Sequence, residues 1–184
     1  MPIAAQISLV IDGEKVFALP GETLLQTADR HGTEIPRLCY KEGYRADGNC
    51  RACVVDIAGE RSLSPSCCRM AEEGMEVNTR NDRARHAQKM VVELLLSDVA
   101  DEHYTTESEL DKWARRLGIT DPRFRQRDQP SSDQSHPAIT VNLDACIQCT
   151  RCVRACREEQ VNDVIGYAGR GSDARIVFDI EEAL

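Results

Sequence analysis

The chain has 184 residues, of which 4% are aromatic and nine are cysteine, and its formal net charge is -8. An acidic balance without any block of basic residues counts against nucleic acid as the main partner. The sequence shows no signal-peptide pattern and no apolar run approaching ~18 residues, so we expect a reduced, cytoplasmic protein without a membrane span. A disulfide framework is disfavoured, because such frameworks belong to short secreted chains.

The first part of the chain has the turn signals of a small sheet. Asp12-Gly13 separates two short apolar runs, which indicates a hairpin. Thr23 is suited to be the N-cap of a helix that ends near Gly32. The order strand, strand, helix, long loop, strand predicts an α+β fold, a β-grasp sheet folded across one helix. The predicted elements are strands at 7–10, 15–19, 52–57, 62–64 and 75–77, a helix at 23–32 and a loop at 35–49.

Helical spacing predicts two further helices before the C-terminal part. Asn81 is the predicted N-cap of a helix that reaches about Ser97, and a second helix runs from Thr106 to about Leu117. The first has an apolar stripe of Ala84, Ala87, Val91, Leu94 and Leu95, and the second one of Leu110, Trp113 and Leu117. Strands are predicted at 139–141 and 176–178. The expected domains are 1–80 (β-grasp), 81–120 (helical connector), 121–137 (linker rich in proline and serine) and 138–184 (cysteine-run module).

Four cysteines in the first domain have the spacing of a two-iron site. Cys39, Cys50, Cys53 and Cys67 are separated by 10, two and 13 residues. Four thiolates can enclose a 2Fe-2S rhomb, two on each iron. The wrapping loop needs left-handed backbone conformations, which we expect at Gly43, Gly48 and Asn49. Zinc is the competing chemistry, although zinc sites usually have two residues between the cysteines of both pairs.

The second cysteine set is a C-x2-C-x2-C-x3-C run formed by Cys146, Cys149, Cys152 and Cys156. This spacing is typical of cubane 4Fe-4S sites, in which the fourth cysteine ligates the other cluster of a two-cluster ferredoxin. The sequence contains no second run after the first, so two arrangements stay open. Either all four thiolates close on one cubane, or Cys156 points away and another chain supplies the missing ligand.

Five arginines lie within a residue or two of a predicted ligand. Their positive charge would offset the negative charge of a thiolate-ligated cluster and raise its potential. The alternative is that they are ordinary solvated arginines. They are Arg51, Arg69, Arg151, Arg154 and Arg157.

These motifs resemble a known family. The segments from Cys39 to Cys53, Pro65-Ser66-Cys67 and Gly74 to Val77 resemble the N-terminal two-iron ferredoxin domain of the large subunit of respiratory complex I. The stretch from Val141 to Gly166 is similar, more specifically, to the α subunit of NAD-dependent, molybdenum-containing formate dehydrogenases. The resemblance covers nearly the whole chain.

The resemblance implies an electron-transfer segment that relays electrons between a molybdopterin site and a flavin/NAD subunit on other polypeptides. Cys39, Cys50, Cys53 and Cys67 then become the 2Fe-2S ligands. No residue looks like a catalytic acid, base or nucleophile, and no nucleotide-binding glycine motif is present in the sequence. The alternatives are a subunit of an NAD-reducing hydrogenase or another complex I relative, and a zinc-binding or degenerate docking adaptor.

The chain departs from the family pattern in two respects. Relatives carry a third cluster, held by a histidine and three cysteines, between the two sites, and this chain has no cysteine between Cys68 and Cys146. His86 and His103 are therefore expected to be ordinary histidines. The family also continues into a second cysteine run. Cys68 does not fit the ligand spacing and is predicted to be a small buried residue.

Overall fold

The computed structural model describes residues 6–100, 108–136 and 139–178. The chain divides into two units. The first unit comprises residues 1–38 and 46–91, and the second comprises 39–45 and 92–184. The predicted domain boundaries were drawn from composition and stay a prediction.

The first unit contains the predicted β-grasp sheet. Its strands are β1 (Ile7–Ile11), β2 (Glu14–Ala18), β3 (Val54–Ile57), β4 (Ser64–Pro65) and β5 (Glu76–Asn78). The order across the sheet is β2-β1-β5-β3-β4, with β1 and β5 parallel and the other neighbouring pairs antiparallel. Asp12 and Gly13 both have positive φ, 50° and 86°, as a two-residue hairpin turn requires. The predicted fold class is confirmed.

Helix α1 (Leu24–Arg30) packs its apolar residues into the core of this unit. Thr23 is its N-cap and forms a capping box with Gln26, as the sequence predicts for Thr23. Leu24 and Leu25 are fully buried, which stabilises the fold by roughly 1.5–3 kcal/mol per side chain. The amide N–H groups of Leu24 and Leu25 also donate to the carbonyl oxygens of Arg69 and Ser66, at 2.8 and 3.0 Å. The N-terminus of α1 is therefore bonded to the turn that carries Cys67.

Helix α2 (Asp82–Ser97) has the predicted length but buries a different face. The Asn81 side chain accepts the N–H of Ala84 at 2.9 Å, which confirms the predicted N-cap. The predicted stripe is wrong in part, because Leu94 is 46% exposed while the polar Gln88 is 2% exposed. Gln88 faces inward because its amide donates to two backbone carbonyls. The buried residues of the helix are Ala84, Gln88, Val92 and Glu93.

The second unit contains short elements. Helix α3 (Glu109–Arg116) is capped by Ser108 and is followed by Gly118 in a left-handed conformation, whereas its predicted start at Thr106 lies outside the described residues. The strands β6 (Asp133–His136) and β7 (Ile139–Val141) pair antiparallel, so residues near the end of the predicted linker form a strand. After α4 (Arg151–Arg154) and a π-helical turn (Ala155–Glu159), β8 (Ile165–Ala168) pairs with β9 (Arg175–Phe178). Among the described residues, no helix combines the length and apolar character that a bilayer span demands.

Candidate iron-sulfur sites

All nine cysteines carry free thiols, and most of the first set are buried. Cys39, Cys53 and Cys67 are at most 1% exposed, and Cys50 is half-buried. Cys68 was predicted to be buried and is exposed instead. Cys67 already fills the interior position of this turn, so its neighbour points outward, with the two Sγ atoms 3.6 Å apart.

Backbone hydrogen bonds hold two cysteines of the first unit beside each other. The Ser66 N–H and hydroxyl both donate to the carbonyl oxygen of Cys53, at 3.1 and 2.8 Å. Cys53 immediately precedes β3, and Cys67 immediately follows Ser66. The thiol positions of Cys53 and Cys67 are thus set by a strand and a turn that are bonded to each other.

The loop before Cys53 has left-handed conformations at both predicted glycines, but not at the third predicted position. Gly43 and Gly48 have φ of 89° and 59°. The prediction for Asn49 is wrong, because Asn49 is not among the described residues with positive φ. Arg51, two positions later, has this conformation instead, with φ of 60°. A non-glycine residue in this conformation costs roughly 1–3 kcal/mol and persists only where its surroundings impose it. Arg51 lies between Cys50 and Cys53, where the chain must turn tightly to present both thiols.

Left-handed backbone conformations occur within the cysteine run of the second unit. Gln148 and Thr150 have φ of 54° and 59°, on either side of Cys149. The Gln148 N–H donates to Cys146 Sγ at 3.4 Å. Backbone N–H groups directed at sulfur are a feature of iron-sulfur sites, where they tune the cluster potential. The loop thus already has the backbone conformation of a thiolate-binding turn.

Three thiols of the run lie close enough together for the charge of one to shift the pKa of another. Partial burial raises the pKa values of the Cys146 and Cys152 thiols, although Cys152 as a whole residue is exposed, and the neighbouring Cys149 raises both further. The Cys146, Cys149 and Cys152 thiols are therefore within electrostatic reach of each other. Thiols with raised pKa values are protonated at neutral pH, so metal binding must release their protons. Cys156 is buried, and the Arg157 that follows it is exposed.

One pair of residues near the run could not be found from the sequence. Arg127 lowers the pKa of Cys146 while Asp98 raises it, and the two side chains are 3.7 Å apart. Both residues are far from Cys146 in the sequence, and no motif marks them. Their proximity is a product of the fold alone.

The five arginines next to predicted ligands have different environments. Arg51 is exposed, and Arg154 is only 3% exposed and donates to backbone carbonyls. The positive charge of the other three is largely offset locally by carboxylates. Those pairs are Arg69 with Glu60 and Glu72, Arg151 with Glu109, and Arg157 with Asp163.

The donor set fits iron-sulfur ligation. Free thiols, four of them buried, left-handed turns beside them and an N–H directed at sulfur are what a thiolate-held cluster requires. Within the described ranges, no three histidine, cysteine or carboxylate side chains are grouped as ligands of a single metal ion. A cluster distributes its thiolates over several irons, so its ligands need not meet at one point. His86 is exposed on α2, and His103 lies outside the described residues.

Comparison with known families gives the class of protein. Residues 4–82 match the 2Fe-2S iron-sulfur cluster binding domain. Residues 136–184 match the ferredoxin-like domain of NADH-quinone oxidoreductase subunit 3. The chain therefore comprises a 2Fe-2S ferredoxin-like domain followed by a second ferredoxin-like domain.

Two individual relatives show which proteins the chain is homologous to. The chain is 32% identical over 186 residues to the mitochondrial NADH-ubiquinone oxidoreductase 78 kDa subunit of Candida albicans, covering 96% of this chain and 26% of that protein. It is 32% identical over 189 residues to the 78 kDa subunit of the same name from Neurospora crassa, covering 98% and 25%. The chain is homologous to these subunits and spans only about a quarter of their length.

A solved structure supports the same relationship. The crystal structure of an NAD+-reducing [NiFe]-hydrogenase in the H2-reduced state contains a chain that matches with a TM-score of 0.87 and 27% identity. The match covers 97% of this chain and 77% of that one. This chain therefore shares its fold with a chain of that hydrogenase.

Proposed function

We propose that the chain is an iron-sulfur electron-transfer segment of an NAD-linked oxidoreductase. Iron-sulfur centres held by its cysteines would supply one-electron transfer between a donor site and a flavin/NAD-binding subunit or domain on other polypeptides. The chain itself contributes ligands, orientation and tuning of potential, and the redox chemistry belongs to the clusters. We propose that it acts in the cytoplasm.

The proposed ligands are the two cysteine sets. Cys39, Cys50, Cys53 and Cys67 hold a 2Fe-2S cluster. Cys146, Cys149 and Cys152 hold a 4Fe-4S cluster, and Cys156 is directed to a second cluster or completes the first. The left-handed residues between the cysteines and the N–H donated to Cys146 support the second assignment.

One observation carries the relay proposal. The Cys39 loop (39–45) and the cysteine run lie in the same unit. The guanidinium of Arg154, which lies between Cys152 and Cys156, donates to the carbonyl oxygen of Cys39. A ligand of one site is therefore one hydrogen bond away from the helix that carries ligands of the other, as a relay between two centres requires.

For the partner enzyme we propose a molybdenum formate dehydrogenase, on the resemblance of the stretch from Val141 to Gly166. A second candidate is an NAD-reducing hydrogenase or another complex I relative, and the match to a hydrogenase chain over 97% of this chain favours it. The two candidates differ in the metal of the donor subunit. A molybdopterin partner brings molybdenum, and a hydrogenase partner brings nickel.

The experiment is anaerobic purification of the tagged full-length protein from its own host, with metal analysis of whatever copurifies. We expect iron and acid-labile sulfide in the chain, bleaching of the visible absorption on addition of NADH, and molybdenum in the assembly. Nickel in place of molybdenum would select the hydrogenase candidate. Colourless protein with stoichiometric zinc would overturn the relay and support the zinc-binding adaptor.

A further inference from the structure

Arg154 is a buried cation between two predicted cluster ligands. It lies on α4, two residues after Cys152 and two before Cys156, and is only 3% exposed. Its guanidinium donates to the carbonyl oxygen of Arg45 at 2.7 Å and to that of Cys39. Arg154 therefore contacts both ends of the Cys39 loop.

Three further contacts join the same loop to the helical segment from Arg151 to Glu158. Arg151 donates to the carbonyl oxygen of Tyr40 at 2.8 Å, and the guanidinium of Arg45 is 3.5 Å from the Glu158 carboxylate. The ring of Tyr44 lies 6.0 Å from the Arg154 guanidinium, at the limit of a cation-π contact. All these residues belong to the second unit. The loop is thus fastened along its length, and Arg154 is the buried member of the set.

The chemistry of these contacts matters for a redox centre. Arg151 and Arg157 pair with the carboxylates of Glu109 and Asp163 at the surface, which offsets their charge. Arg154 is only 3% exposed, so its charge is shielded from water. In a buried, low-dielectric environment that charge acts over a longer distance than in water. A positive charge near a cluster stabilises its reduced form and raises its potential.

We propose that Arg154 is a positioning residue that couples the two cysteine sites. It fixes the backbone of Cys39 against the helix that carries Cys152 and Cys156, and its charge raises the potential of the 2Fe-2S centre. The inference rests on the proposed function for the presence of that centre. The loop contact itself does not depend on the centre.

The test compares three variants of the full chain. Arg154→Gln removes the positive charge and the guanidinium, whose N–H groups donate to both carbonyl oxygens. Arg154→Lys keeps the positive charge but replaces the planar guanidinium. Arg157→Gln is the control, because it removes one positive charge beside Cys156 from an exposed ion pair. The measurements are the midpoint potential of the two-iron centre, by mediated titration with dithionite followed by electron paramagnetic resonance, and amide hydrogen exchange over residues 39–45.

We expect Arg154→Gln to lower the midpoint potential and to speed exchange in the Cys39 loop at least tenfold. Arg154→Lys should speed exchange while keeping the potential close to that of the unsubstituted protein, and Arg157→Gln should change neither. Equal shifts of potential in Arg154→Gln and Arg157→Gln, or unchanged exchange in Arg154→Gln, would overturn the proposal.

The exchange measurement still tests the proposal if a variant takes up no iron. Exchange over residues 39–45 is then compared between the metal-free unsubstituted chain and metal-free Arg154→Lys, and equal rates would overturn the coupling. An unsubstituted protein without iron and sulfide would contradict the proposed function instead. The two failures are therefore distinguishable.

Discussion

At the scale of single residues, Gly48 lies two positions before Cys50, in a place where its backbone closely approaches the side chain of Cys68. Gly48 has φ of +59°, and a Cβ at this position would lie 2.9 Å from Cys68 Sγ. Gly43 has φ of +89°, but a Cβ there would meet nothing within 4 Å. The two glycines are therefore a matched pair, one with backbone strain alone and one with strain plus a steric contact.

We predict that Gly43→Ala destabilises the chain by about 1–2 kcal/mol, the cost of a left-handed non-glycine residue. Gly48→Ala should cost more and should reduce iron retention at the N-terminal site. Urea unfolding followed by circular dichroism, together with iron content, measures both effects. Adding Cys68→Ala to Gly48→Ala should recover part of the loss, because it removes the contacting sulfur. Equal destabilisation by the two glycine variants would contradict this account.

Cys156 decides which arrangement the cysteine run adopts. Its neighbours Cys146, Cys149 and Cys152 are within electrostatic reach of one another. We predict that Cys156→Ser retains the cubane signal in electron paramagnetic resonance, whereas Cys149→Ser abolishes it. Loss of the signal in both variants would show that all four thiolates close on one cubane.

Predictions for single residues were correct where the local sequence determines the conformation. They failed where the tertiary fold determines it. Gly43 and Gly48 could be predicted as left-handed because glycine tolerates that conformation at no steric cost. Arg51 could not, since its positive φ is imposed by its surroundings. Arg127 reaches Cys146 only through the fold, so no local pattern reveals it.

At the scale of elements, α2 is anchored to the sheet by a polar side chain. The Gln88 amide donates to the carbonyl oxygens of Val54 and Thr79, both at 2.9 Å. Hydrophobic periodicity predicts apolar contacts here and cannot reveal that two strand-end carbonyls need a donor. This is why the length and N-cap of α2 were predicted correctly and its buried face was not.

We predict that Gln88→Leu destabilises the chain by about 1–3 kcal/mol, because two buried carbonyls lose their donor. His86→Ala, at an exposed position on the same helix, is the control and should change stability by less than about 0.5 kcal/mol. Urea unfolding compares the two. A Gln88→Leu variant as stable as the control would show that water replaces the amide without cost.

The entry to α1 depends on pH through Glu22. The hydrogen bond from Arg30 is the largest cause that holds the pKa of the Glu22 carboxyl below its ordinary value, and the N–H of Leu19 and the hydroxyl of Thr27 contribute. A carboxyl with a lowered pKa stabilises the folded state at pH values above its unfolded pKa, about 4.3. That stabilisation is lost as the pH falls through the folded pKa.

We therefore predict that Glu22→Gln is less stable than the unsubstituted chain at pH 7 and that the difference shrinks as the pH falls below about 4.3. The measurement is the free energy of unfolding of both proteins by urea, at matched metal content, between pH 7 and acid. A difference that stays constant with pH would show that the carboxylate charge does not contribute.

At the scale of the whole molecule, the order of the two sites was predictable because cysteine spacing and strand order are local signals. The β-grasp sheet and the ferredoxin-like C-terminal part agree with the structure and the comparisons. The contact of Arg154 with Cys39 was not predictable, because it joins residues 115 positions apart in the sequence. Only Arg154 among the five flagged arginines is buried, and the sequence offers no way to select it.

Iron content and electron paramagnetic resonance together test whether this chain carries two different iron-sulfur centres. The protein is reconstituted anaerobically with iron and sulfide and reduced with dithionite, and iron content is determined alongside electron paramagnetic resonance spectra. We expect about six irons per chain and two distinct signals, one from a two-iron and one from a cubane centre. Only about two irons with a single signal, or bound zinc without sulfide, would contradict it.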